Sequence, residues 1–243
     1  MIRNLYKKMV ASATLFTLEL IFVWLLFLAC VIVFLYIGAH IASGLELGID
    51  EAAFGFAADI TTPWLNTFIE ISTFFASRHF LTPAALLLAA YFLFIRKHHW
   101  YSVKVPVIAL GSITLNLVLK QFFDRPRPLM PIVEASGLSF PSGHSMVAAS
   151  FYGLIIYLTW KHVEHPVLRY FLVGFLVAFV IVIGFSRIYL RVHYATDVLA
   201  GFAAGFLWVI VGIWTLNRIE LFTRKEVPQE LVADTVEEGV EEE

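Results

Sequence analysis

Residues 15–39 read LFTLELIFVWLLFLACVIVFLYIGA. A hydrocarbon core about 30 Å thick needs about 20 apolar residues in a helix, and this run supplies them. It is longer than the 7 to about 15 residues of a signal-peptide core and ends without an obvious small-residue cleavage site, so it reads as a retained signal anchor. The rest of the chain shares its solvent. Of 243 residues, 60% are hydrophobic and 15% charged, with a mean hydropathy of +0.81; soluble domains carry about 25% charged residues.

Five further apolar stretches follow, at 80–95, 103–122, 145–160, 170–190 and 195–217. The stretches at 80–95 and 145–160 are short for a span. A helix enclosed by neighbours can extend into polar, protein-lined regions, and counting both makes the charges between stretches alternate. Arg3, Lys7, Lys8, Arg96, Lys97, Lys104, Lys161, Arg169, Arg218, Arg224 and Lys225 then share one side. The positive-inside rule makes that side cytoplasmic, with both termini there. The expectation is an all-α, six-transmembrane helical bundle in a plasma (inner) membrane.

Arg78, Lys120, Arg125, Arg127, Arg187 and Arg191 fall on the opposite side, where the rule disfavours them. Binding an anion gives such a cluster a reason. Cys30 is the single cysteine, so an internal disulfide and a thiolate metal site are excluded. Residues 226–243 hold eight of the nineteen acidic residues. They read as a solvated, disordered cytoplasmic tail behind a single membrane-embedded domain at 1–225.

In the outer segment 40–79, Pro63-Trp64 with Leu65, Phe68, Ile69, Ser72 and Phe75 gives helical spacing, which suits a helix at the interface. Residues 123–141 contain Pro126, Pro128, Pro131, Gly137 and Pro141 and cannot continue a helix unbroken. Lys120 precedes this loop. Arg127 stands between two prolines that restrict the backbone, and its planar fork can grip two phosphate oxygens. The sequence PSGHS at 141–145 opens the 145–160 stretch, so the amides near Ser142, Gly143 and His144 would face an anion at a helix start. Ser142 alone reads as an N-cap and Gly143 as a turn residue. His144 there is placed to give a proton to a departing oxygen. Ser186, Arg187, His193 and Asp197 flank the outer ends of the last two stretches. If 193–197 is helical, Asp197 can bond one nitrogen of His193 and leave the other as a nucleophile.

These three blocks, K-x6-RP, PSGH and SR-x5-H-x3-D, match in order and spacing the signatures of the type 2 phosphatidic acid phosphatases, integral membrane lipid phosphatases that this chain resembles. The resemblance implies that His193 attacks phosphorus to form a phosphohistidine, that Asp197 orients it, and that His144 is the acid and then the base. It implies that Lys120, Arg127, Ser142, Gly143 and Arg187 hold the nonbridging oxygens, with Ser186 supporting the loop. Three cations and several amides preorganised around the transferred group can replace magnesium, so no metal or other cofactor is expected. The expected partners are the bilayer and a membrane lipid phosphate: undecaprenyl diphosphate, phosphatidylglycerol phosphate or phosphatidic acid. No nucleic-acid role is expected. The competing readings are a lipid-phosphate binding or transport protein without turnover, and a vanadate-dependent haloperoxidase-like enzyme. Six spans argue against the second, and an intact nucleophile, acid and aspartate against the first. Arg78, Arg125 and Arg191 lie outside the signature and read as solvated charges or structural ion pairs.

Overall fold

A computed structural model describes residues 2–45 and 47–238, with side chains for 17–18, 20–45 and 47–223. Its elements are α1 (Ile2–Ala42), α2 (Ile49–Asp59), α3 (Pro63–Phe74), α4 (Arg78–Ala90), α5 (His99–Phe123), α6 (Gly143–His162), α7 (Pro166–Tyr189) and α8 (Ala195–Glu238). A π-helical turn, Tyr91–Ile95, continues α4.

Segments of α1, α5, α7 and α8, and α4 with its π-helical turn, are long and apolar enough to cross a membrane. Helix α6 has 20 residues and serves as the axis of the bundle, packed against α5, α7 and α8. Its buried residues include Ser145, Ala148, Ala149, Ser150 and Gly153, small side chains that let backbones approach, as expected where lipid gives helices no hydrophobic reason to associate. The α6–α8 contact is the tightest: a Cβ on Gly205 would lie 2.4 Å from the Met146 carbonyl oxygen, and one on Gly201 2.8 Å from that of Ser142. Ser150 donates 2.9 Å to Met146 O, and its hydroxyl lies 2.8 Å from that of Ser112 on α5. The outside of the bundle is apolar, with Phe22, Trp24, Leu87, Phe94, Phe171 and Phe175 exposed as a lipid-facing surface requires.

The two ends differ in charge chemistry. At one, Lys104 on α5 is 1% exposed and reaches Glu220 at 2.6 Å and Asn217 at 2.7 Å on α8. Lys161 and His162 lie near it, against the Tyr101 ring. The side chains of Arg3, Lys7, Lys8, Arg224 and Lys225, also assigned to this end, lie outside the described ones. At the other end, the loop between α5 and α6 and the junction of α7 and α8 enclose a polar centre. Beside them sit α2 and α3, both packed on α7.

Helix α3 forms where the spacing places it: Thr62 caps it by accepting from Leu65 N, Pro63 opens it, and Trp64 is 73% exposed and stacked on Phe68. Ile69 and Ser72 on its other face are buried. Helix α2 was not legible. The described backbone of α8 extends to Glu238, and residues 239–243 lie outside the described residues.

Candidate active site

Two helix starts and one loop build the centre. Tyr194 is the residue before α8, and its amide donates 3.0 Å to Asp197 Oδ2, a carboxylate reaching back from the third helical position. The same oxygen lies 3.4 Å from His193 Nδ1. The pair is buried, His193 2% and Asp197 0% exposed. On the far side of the imidazole, Nε2 faces Arg127 Nη1 at 3.4 Å. A carboxylate on one ring nitrogen and a guanidinium near the other fix the tautomer: the proton sits on Nδ1 and the lone pair on Nε2. Burial pushes the His193 pKa down to about 4, with Arg127 and Arg187 acting in the same direction and Asp197 opposing them, so the ring is neutral near neutral pH.

The 123–141 loop and the helix ends beside it bring the cations. Arg127 is held by its own backbone surroundings, donating from Nε to Gly137 O at 3.1 Å and from Nη1 to Val192 O at 2.9 Å. Lys120, at the end of α5, donates to Leu138 O. Arg187, in the last turn of α7, is buried and donates from Nη1 to Thr73 Oγ1 on α3 at 2.5 Å. Its Nε is buried without a partner among the described residues, a donor that an anion oxygen can satisfy.

Ser142 is the N-cap of α6. Its hydroxyl oxygen accepts from the Ser145 amide at 3.4 Å and from the Ser145 hydroxyl at 2.8 Å. Its own amide donates 2.9 Å to the Asp197 carbonyl. One expectation is thereby corrected: the Ser142 amide ties the two helix starts together and does not face an anion, which leaves the first-turn amides of Gly143 and His144 for that role. Gly143 is required by a close approach, since a Cβ there would meet Asn116 Oδ1 at 3.0 Å. Asn116 in turn donates 3.1 Å to Pro141 O. Ser186 supports α7 itself, its hydroxyl donating 2.6 Å to Ile183 O.

The structure thus brings His144, His193, Asp197, Arg127, Arg187, Lys120, Ser142 and Gly143 to one end of the bundle. Arg78 is exposed at the start of α4, and Arg191 turns away over the Phe54 ring at 5.9 Å. Arg125 does neither. It lies over the Tyr194 ring at 3.9 Å and bonds Asp197 Oδ1 at 2.6 Å and Asp50 Oδ2 at 3.0 Å. Asp50, on α2, carried no motif signal in the sequence.

Residues 101–220 match the model of the PAP2 superfamily. The chain is 36% identical over 197 residues to phosphatidylglycerophosphatase B of Bacillus subtilis (strain 168), covering 79% of this chain and 95% of that protein. It is 25% identical over 173 residues to a putative undecaprenyl-diphosphatase, YbjG, of Escherichia coli (strain K12), covering 68% of this chain and 81% of that one. Among solved structures it is similar to a transmembrane PAP2-type phosphatidylglycerolphosphate phosphatase from Bacillus subtilis, with a TM-score of 0.68 and 33% identity over 78% of this chain and 96% of that one. Aquifex aeolicus LpxE shares the fold, with a TM-score of 0.55 and 23% identity over 69% of this chain and 96% of that one.

Proposed function

The chain belongs to the PAP2 superfamily, and on that premise we propose that it is a multi-pass membrane phosphatase that removes the terminal phosphate of a membrane lipid through a phosphohistidine, without a metal ion. The observation that carries the reading is His193 held between Asp197 on Nδ1 and Arg127 beside Nε2.

In the first step the Nε2 lone pair attacks phosphorus, the bond from phosphorus to the lipid oxygen breaks, and His144 gives that oxygen a proton. Asp197 balances the positive charge that spreads over the imidazole. In the second step His144 takes a proton from water, the water oxygen bonds to phosphorus, and the N–P bond returns its electrons to His193. Lys120, Arg127, Arg187 and the amides of Gly143 and His144 hold the nonbridging oxygens throughout. Charge that develops on these oxygens meets fixed donors, which is where a metal-free phosphoryl transfer gains most of its rate.

The substrate reading is a lipid phosphate monoester or diphosphate, with phosphatidylglycerol phosphate, undecaprenyl diphosphate and phosphatidic acid as the set to compare. Names of relatives support the first two. The basic end around Lys161 and His162 is assigned to the cytoplasm and the catalytic end to the outer face of a bacterial inner membrane. The test is phosphate release from the purified protein with each of the three lipids in EDTA. Release that is lost in His193→Ala supports the reading; a folded wild-type protein that releases phosphate from none of them overturns it.

A further inference from the structure

Asp50 is a buried carboxylate on a peripheral helix, far in sequence from every motif, and all of its side-chain hydrogen bonds lead to the reaction centre. Its Oδ1 accepts from the Thr196 amide at 2.8 Å. Its Oδ2 accepts from the Thr196 hydroxyl at 2.9 Å and from Arg125 Nη2 at 3.0 Å. Arg125 Nη1 then donates to Thr196 Oγ1 at 2.8 Å and to Asp197 Oδ1 at 2.6 Å. The guanidinium is a bridge between two carboxylates, lying on the Tyr194 ring at 3.9 Å.

We propose that Asp50 is a positioning residue for the reaction: through Arg125 and Thr196 it fixes the Asp197 carboxylate, and thereby the His193 ring, in the attacking orientation. This rests on the phosphohistidine reading above.

Two physical arguments carry it. The first is geometric. Asp197 has two oxygens to place. Arg125 takes Oδ1, which leaves Oδ2 for Tyr194 N and His193 Nδ1. Arg125 can serve as this anchor only if its own plane is fixed, and Asp50 on Nη2 with Thr196 beside Asp197 on Nη1 fix it. Thr196 and Asp197 are consecutive in the first turn of α8, so Asp50 also caps, from another helix, the turn that carries the catalytic carboxylate.

The second argument is charge. A buried Arg125–Asp197 pair alone would be neutral and would add no net negative charge beside the imidazole as it becomes cationic. With Asp50 the three groups carry a net charge of one negative unit. A second buried carboxylate is costly to desolvate and contributes little to stability relative to an apolar core. Its placement makes sense where a positive charge must be met during the reaction.

The experiment is single-turnover kinetics with enzyme in saturating excess over radiolabelled phosphatidylglycerol phosphate, comparing wild type, Asp50→Asn, Arg125→Lys and Asp59→Asn. Asp59 is an exposed carboxylate on the same helix and serves as the control. The rate constant under enzyme excess does not fall when part of the protein is misfolded, so it separates positioning from folding. Asp50→Asn is expected to lower it by about 10- to 100-fold, the scale of a displaced reacting group, with KM changed less than about twofold. Arg125→Lys, a point charge that cannot span both carboxylates, is expected to fall in the same range and stands in if Asp50→Asn does not fold. Asp59→Asn is expected to match wild type. A wild-type rate constant in Asp50→Asn or in folded Arg125→Lys overturns the positioning role alone. A wild-type protein that does not turn over takes the phosphohistidine reading down with it.

Discussion

As the proposed nucleophile, His193 can attack only while neutral. Burial holds its pKa down at about 4, so the free enzyme keeps the lone pair on Nε2 at every pH above that value and loses it as pH falls through it. The His193 imidazole is therefore expected to titrate near pH 4 in the free protein, and kcat/KM to be lost below that pH as the lone pair is protonated. The check is an NMR titration of the His193 ring in the free protein, and a midpoint near 6.5, where an ordinary histidine titrates, would contradict the burial argument. His144→Ala is expected to cost about 10²- to 10⁴-fold in kcat, the usual worth of a general acid and base. It should recover in part with a substrate whose leaving group needs no proton, such as a p-nitrophenyl phosphate ester; equal losses on both substrates would remove His144 from that role. At this scale the sequence was most legible for which residues gather at one end of the bundle, because the K-x6-RP, PSGH and SR-x5-H-x3-D blocks hold them in local spacings. It was misleading for the Ser142 amide and silent on Asp50. The amide finds a carbonyl 55 residues away. Asp50 finds Thr196 at a separation of 146 residues. Neither partner leaves a local pattern to read.

Between elements, the site depends on how closely α6 can lie on α8. Gly201 is four residues after Asp197, and its missing Cβ leaves room for the Ser142 carbonyl. The Ser142 amide can then bond the Asp197 carbonyl, joining the helix start that carries His144 to the one that carries Asp197. Gly201→Ala is expected to push these starts apart and lower kcat by about 10-fold or more, a cost typical of small misplacements. Gly205→Val, one turn further from the site, meets Met146 backbone and is expected to destabilise the bundle by about 1–3 kcal/mol. Gly55 on α2 has open space around a built Cβ, so Gly55→Ala should leave both quantities unchanged. Thermal unfolding in detergent beside kcat reads all three, and a Gly201→Ala protein with full activity would show that the helix starts tolerate separation. The apolar stretches announced α1, α4, α5, α7 and α8 because lipid demands their length. Helix α6 was harder to read, since an enclosed helix is built from small and polar residues. Helix α2 carries an ordinary interfacial composition, and only its tertiary contacts give it a purpose.

For the molecule as a whole, the account requires the two ends to face different compartments. Glu134 lies exposed in the catalytic-end loop and Lys97 exposed at the opposite end. In a Cys30→Ala background, a membrane-impermeant maleimide should label Glu134→Cys in intact spheroplasts, and Lys97→Cys only after permeabilisation. The reverse pattern would place the chemistry in the cytoplasm. The same division explains the charge pattern along the chain. Lys104, buried against Glu220, lies at the end that the proposed topology puts inside, whereas Lys120, Arg127 and Arg187 lie at the other end, where the proposed anion site gives them a reason.

The proposed chemistry turns on one covalent bond, between phosphorus and His193 Nε2. The most direct measurement is to quench the wild-type protein in alkali during turnover of a lipid carrying radiolabelled terminal phosphate, in EDTA, and map the label by peptide. The account predicts a base-stable, acid-labile label on His193 that forms without metal and is absent from His193→Ala. Turnover with no label on His193, or release that survives in His193→Ala, would contradict it.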